Sequence, residues 1–252
     1  MNFPDLAPNL GTFAEITVIV VSFLAAGVTA TFSIGGGLLL IGVMGVLAPV
    51  TAVVPVHGAI MMGGNAGRAF VFRRGLDLPI FGAVFAGALL GALIGGQIVT
   101  TLPAAALRLL IAGFILFSQW GPKLRLPFGR KSFFLAGTVS TILNLFVGAS
   151  GPFITALLAA VPRYDRINLQ ATAAACMTVQ HGLKIVVFGL AGFAFAPWLP
   201  LILLSIAAGF AGTLLGAKLL SRFDENQFRS ALKWILTALA IYMILLVILK
   251  LF

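Results

Sequence analysis

The sequence predicts an all-α polytopic membrane protein made of two inverted repeats, each a re-entrant broken helix followed by three transmembrane helices. Three observations carry that prediction. The 252 residues are 61% hydrophobic and 9% charged, with a mean hydropathy of +1.14. That is more apolar surface than a soluble core can hide, and the apolar runs reach the roughly 20 residues that a bilayer crossing needs. The first apolar segment is broken at Ser33-Ile34-Gly35-Gly36-Gly37, and the second half repeats the break at Gly148-Ala149-Ser150-Gly151-Pro152. The repeat also extends to residue level: Gly67-Arg68-Ala69-Phe70-Val71-Phe72 aligns with Leu183-Lys184-Ile185-Val186-Val187-Phe188, and Gly91-Ala92-Leu93-Ile94-Gly95-Gly96-Gln97 with Gly212-Thr213-Leu214-Leu215-Gly216-Ala217-Lys218.

In chain order, residues 1–121 form the first repeat, 122–131 a basic linker and 132–252 the second repeat. Met1 to Gly11 holds no Lys or Arg, so a cleavable signal with a basic leader is not expected. Ile16 to Thr31 is the first arm, and Leu38 to Leu47 beyond the glycines is too short to span. Pro49 ends that piece, and three segments follow: Thr51 to Phe72, Pro79 to Val99 and Ala104 to Trp120. In the second half Phe133 to Val147 leads to the break, Phe153 to Val161 is the half-helix, and Asn168 to Phe188, Trp198 to Leu219 and Ala231 to Leu249 are the spans. The glycines four apart in Gly91/Gly95 and Gly212/Gly216 let helices approach closely.

The cations choose between topologies. If the broken segments are re-entrant, Arg73, Arg74, Lys123, Arg125, Arg130, Lys131, Arg163, Arg166, Lys218, Arg222 and Arg229 share one side, leaving Arg108 and Lys250 opposite. If the broken segments cross fully, that bias nearly vanishes. The positive-inside rule therefore favours inverted repeats with basic loops in the cytoplasm and both termini outside. The net charge of +10 is read in the same way, as topology signals facing anionic lipid; the clustered basic surface that nucleic acid requires is absent.

The chemistry sits in the few polar residues inside the spans. All six acidic residues, Asp5, Glu15, Asp77, Asp165, Asp224 and Glu225, lie in the N-terminal lead, at segment ends or in loops, while Arg68 and Lys184 lie within apolar segments. An intramembrane cation with no carboxylate partner is neutralised most simply by an anionic ligand. Half-helices opening at the breaks add positive dipole ends and free N–H groups, with Ser150 able to cap and Pro152 suited to a first helical position. Candidate ligands of such an anion are Gly35, Gly36, Gly37, Asn65, Arg68, Ser150, Gly151, Gln180, His181 and Lys184. Each has a plainer reading: Arg68 snorkels toward Arg73, and Asn144, Thr172, Thr178 and Ser150 act as ordinary interhelical hydrogen-bonders. His181 and His57 are the only groups within the spans that titrate near neutrality, which makes them the proton-coupling candidates; their plainer reading is a packed, hydrogen-bonded histidine. Cys176 is the single cysteine, so an internal disulfide and a thiolate metal cluster are excluded. There is no His-Glu-x-x-His, nucleophile elbow or P-loop. Neither an enzyme nor a cofactor is expected.

With these residues in hand, the chain resembles the sulfite exporter TauE/SafE family of bacterial membrane permeases. The resemblance rests on Ile34-Gly35-Gly36-Gly37 and Ala149-Ser150-Gly151-Pro152-Phe153, on Gly64-Asn65-Ala66-Gly67-Arg68 with Phe72-Arg73-Arg74-Gly75, and on Gln180-His181-Gly182-Leu183-Lys184 with Phe188-Gly189. It implies export of sulfite, or of an organosulfonate such as sulfoacetate, across the inner membrane without ATP hydrolysis by the protein itself. Ala149-Ser150-Gly151 departs from a purer glycine run and adds a hydroxyl there. Two other readings make different predictions: a passive anion channel gives flux that no pH gradient drives, and a membrane scaffold whose cations bind lipid head groups gives no flux.

Overall fold

A computed structural model describes residues 6–32, 35–99, 103–122, 129–148, 151–219 and 225–249. Ser33, Ile34, Ala149 and Ser150 at the hearts of the breaks, Lys123 and Arg125 of the linker, and Arg222, Asp224 and Lys250 lie outside them. The described residues are all-helical, with no strand: α1 Thr12–Phe32, α2 Gly36–Leu47, α3 Val50–Val71, α4 Leu78–Val99, α5 Ala104–Trp120, α6 Arg130–Val147, α7 Gly151–Ala159, α8 Arg166–Leu190, α9 Leu199–Leu219 and α10 Glu225–Ile248. Short 3-10 turns at Arg73–Gly75 and Ala196–Trp198 precede α4 and α9.

Both breaks fall where the glycines put them. Gly35 has φ 102°, a left-handed value that glycine tolerates without cost, and serves as the N-cap of α2. Gly148 has φ 76° and closes α6, its N–H donating to Asn144 O at 3.0 Å. Each half-helix starts two residues earlier than the apolar runs suggest. At 12 residues α2 rises about 18 Å, roughly half the hydrocarbon depth. By contrast α1, at 21 residues, is long and apolar enough to cross on its own. Gly36 lies against the Ala25 carbonyl and Thr29, so α2 folds back along α1.

Among the described residues, five stretches are long and apolar enough to cross a membrane: Thr12–Phe32, Leu78–Val99, Arg166–Leu190, Ala196–Lys218 and Ser230–Ile248. α3 is as long as α4, yet it falls below that apolar standard because it carries His57, Asn65 and Arg68. The polarity that hides it as a span marks it as the helix with chemistry.

Packing exchanges elements between the halves. α1 lies on α9 and, at the equivalent place, α6 lies on α4, while α3 pairs with α8 and α5 with α10. Glycine sets the close contacts: Gly212 abuts the Phe23 carbonyl and Gly216 the Gly27 carbonyl, so α1 and α9 run parallel; Gly87 and Gly91 abut the Phe134 and Thr138 carbonyls, so α4 and α6 run parallel. α3 and α8 run antiparallel, since Gly58 meets the Lys184 stem while Arg68 meets Met177. One apolar core gathers α1, α2, α3, α5, α9 and α10, and a second gathers α4, α6, α7 and α8.

Candidate functional site

The α3–α8 pair carries His57, Asn65, Arg68, Gln180, His181 and Lys184 of the expected residues, and it brings His57, His181 and Lys184 close to one another. On α3, His57, Asn65 and Arg68 are buried, and on α8 so are Gln180, His181 and Lys184. The His57 and His181 rings face each other edge to face with centroids 5.8 Å apart. Lys184 is fully buried, and its Nζ donates to Gly148 O at 3.1 Å. Gly58 makes this possible: a Cβ there would stand 2.6 Å from Lys184 Cδ. His57 Nε2 lies 3.0 Å from Gly37 O. A carbonyl only accepts, so Nε2 carries the hydrogen, and the buried Nδ1 is left without a partner beside Gly148.

The two breaks therefore meet. Gly148 of the second break lies against Ile41 of α2 and the His57 ring, both from the first half. A side chain at 148 would have to displace Ile41, so the contact depends on glycine for space as well as for φ. Gly151 opens α7 against Met177. Gly35 faces Leu232 of α10. Ser150 lies outside the described residues.

Arg68 stands apart from this cluster, on the α1 and α9 side of α3. Its Nη2 donates to Asn65 Oδ1 at 2.8 Å and lies 3.7 Å from Met177 Sδ; its Nε is buried without a partner. Asn65 in turn donates through Nδ2 to Met61 O at 2.7 Å. Both ends of that amide are engaged, so Asn65 holds Arg68 in place. The guanidinium looks into a cavity walled by α1, α2, α3 and α9, whose polar lining is Ser22, Thr29, Asn65, Arg68, Ser205 and Thr213. Neither Arg68 nor Lys184 has a carboxylate partner among the described residues, where the one ion pair is Arg163 with Asp77 at 2.5 Å.

Gln180 donates to Ser140 Oγ at 2.6 Å. Asn144, one turn further along α6, is buried with neither amide atom partnered. Gln170, which the sequence reading passed over, donates to Thr29 O and Ala30 O at 3.1 and 3.0 Å, satisfying the last carbonyls of α1 at the first break. Ser205 and Thr213 were also passed over. Their signal is the spacing of Ser205, Gly209 and Thr213, four apart on one face of α9.

At the end of the bundle shared by the α3–α4 turn and the α7–α8 loop, Asp77 caps α4 by accepting from Ile80 N–H at 3.1 Å, and its own N–H donates to Thr172 Oγ1 at 3.1 Å. Partial burial pushes the Asp77 carboxyl up, but the Ile80 N–H and the Arg163 guanidinium outweigh it and hold it below the ordinary value. Burial pushes the neighbouring Tyr164 phenol up to about 12.

The family model described as Sulfite exporter TauE/SafE matches residues 18–243. No curated protein and no solved structure matches the chain. The matched region takes in both breaks, the α3–α8 pair and the α9 wall of the cavity. On that match, which covers nearly the whole helical bundle, the chain belongs to the TauE/SafE sulfite exporter family of membrane transporters.

Proposed function

We propose that the protein is a secondary transporter that exports a small sulfur oxyanion, sulfite or an organosulfonate such as sulfoacetate, across the bacterial inner membrane. The observation that carries this reading is the pair of buried cations, Arg68 on α3 and Lys184 on α8, without a carboxylate partner among the described residues. A buried charge of that kind is retained where a mobile counter-ion visits it. The candidate ligands are Gly35, Gly36, Gly37, Asn65, Arg68, Ser150, Gly151, Gln180, His181 and Lys184; support comes from the contact of Lys184 with Gly148 O at the second break and of His57 with Gly37 O at the first. Arg68 and Lys184 hold the anion alternately as the halves rock. We read the halves as inverted repeats with the basic loops cytoplasmic, a reading supported by the antiparallel course of the equivalent helices α3 and α8. Proton coupling through His181 or His57 is supported by their contact beside Lys184. Membrane lipid is the surrounding partner, and neither nucleic acid nor a cofactor enters the reading.

The test is flux of labelled sulfite and sulfoacetate in proteoliposomes, with and without a pH gradient, for the native protein and Lys184→Gln. Saturable flux that is lost in Lys184→Gln is the expected result, with accumulation against the substrate gradient when a pH gradient is imposed. Saturable flux without such accumulation makes the protein a passive channel, and no flux of either anion overturns the sulfur-anion reading.

A further inference from the structure

We propose that the anion's seat in this conformation is the cavity between α1, α3 and α9, with Arg68 Nε and Ser205 Oγ as its direct hydrogen-bond donors. The inference rests on the anion-transport reading above and goes beyond it by naming the ligand atoms, one of them on a helix that reading did not use.

The argument begins with which donors are free. Arg68 is fixed on one edge, where Nη2 meets Asn65 Oδ1 and Met177 Sδ and Asn65 is anchored to the Met61 carbonyl. Nε is buried and unpartnered, and Arg68 is one of the residues that line the cavity. The hydroxyls in the wall differ from one another. Ser22 donates to Val18 O at 2.7 Å and Thr29 to Ala25 O at 2.9 Å, the usual back-bond of a hydroxyl to its own helix. Their protons are spent on their own helix. Ser205 makes no such bond: its Oγ is buried and unpartnered. A buried hydroxyl left without its own carbonyl is costly unless something else occupies its proton. An oxyanion beside an arginine is the group that satisfies both orphaned donors at once.

The repeat sharpens the assignment. The alignment that pairs Ala92 with Thr213 pairs Val84 with Ser205 and Ala88 with Gly209. Val84, Ala88 and Ala92 are buried and apolar, and the cation equivalent to Arg68, Lys184, is turned toward Gly148 O instead. The donor pair therefore occurs once in the described residues, on the Arg68 side. Its two members come from different halves of the chain. An anion bridging them ties α3 to α9, and any movement of one half against the other stretches or breaks its bonds, which is what a carried substrate must experience.

Two substitutions of one shape test this. Ser205→Thr keeps the hydroxyl, and Ser205→Val replaces it with a methyl group. The measurement is calorimetric titration of sulfite and of sulfoacetate into the full-length protein purified in detergent, with thermal melting in anion-free buffer as the check on folding. The expected result is native affinity for Ser205→Thr and a loss of about tenfold or more for Ser205→Val, the scale of a hydrogen bond to a charged group, with matched melting of the two variants. If the native protein binds an anion and both variants bind it equally well, the seat lies elsewhere and the transport reading stands. If the native protein binds neither anion, both the seat and the sulfur-anion reading fall. If bulk at 205 prevents folding, Ser205→Ala decides by the same comparison.

Discussion

Arg68 and Lys184 align in the sequence repeat, yet side-chain chemistry separates their surroundings. The arginine's several donors let Nη2 be held by Asn65 while Nε stays unpartnered. The lysine is a point charge on a flexible stem and reaches the Gly148 carbonyl at the second break. The His57–His181 contact lies beside that lysine, with an unpartnered Nδ1 on each ring. If these rings relay the coupling proton, replacing His181 with Gln removes the titratable group and keeps a polar side chain. His181→Gln, which keeps a hydrogen-bonding side chain, should then lose accumulation driven by a pH gradient; equal accumulation in native protein and variant would exclude His181 from coupling. The charged and titratable members of this site were legible in the sequence, because Arg68, Lys184 and the two histidines stand out in apolar windows. Ser205 was not. A serine in a membrane helix ordinarily bonds its own backbone, and only the coordinates reveal that this one does not.

At the scale of elements, glycine decides which helices touch. Both breaks and the close-contact stripes could be read from glycine spacing, and α2 and α7 follow the breaks to within two residues. The partners could not be read. Gly91 and Gly212 announce a close approach without saying to what, because exchange of α1 and α6 between the halves is a long-range choice made by the fit of whole faces. With partners known, the cost of filling the contacts follows. A Cβ at Gly212 would collide with the Phe23 carbonyl, and one at Gly91 with the Thr138 carbonyl, both backbone atoms that cannot swing away. Gly212→Val should destabilise the protein by about 1–3 kcal/mol, the usual range for overpacking. Gly82→Val, on the same helix as Gly91 but facing open space, should stay within about 0.5 kcal/mol. Thermal melting in detergent distinguishes the two, and equal melting would mean that α1 and α9 are not in glycine-mediated contact.

For the molecule as a whole, the two ends of the bundle are held by different physics. At one end, Phe193 packs on Phe195 and Trp198 around the α8–α9 turn, an aromatic contact. At the other, a polar latch joins the halves: Arg163 pairs with Asp77, the Asp77 N–H donates to Thr172, and Asn168 Nδ2 donates to Gly75 O at 3.1 Å. The Arg163–Asp77 pair contributes little by itself, since Arg163 is 61% exposed and water screens it. The larger share belongs to the Asp77 side chain as the cap of α4. Asparagine caps about as well as aspartate, so Asp77→Asn should cost only a few tenths of a kcal/mol, and Asp77→Ala about 1 kcal/mol. The pH dependence has a definite sign. Because the folded carboxyl sits below its ordinary value, its contribution is complete above the unfolded pKa and is lost as pH falls through the lower, folded one. Melting curves recorded from neutral to acid pH should therefore converge for native protein and Asp77→Asn at the acid end, where the native carboxyl too is protonated. A gap that persists there would show that the charge on Asp77 contributes nothing to the latch. That result would leave the bonds of Asp77 N–H to Thr172 and of Asn168 to the Gly75 carbonyl, and not the ion pair, as the contacts that hold the halves together at this end.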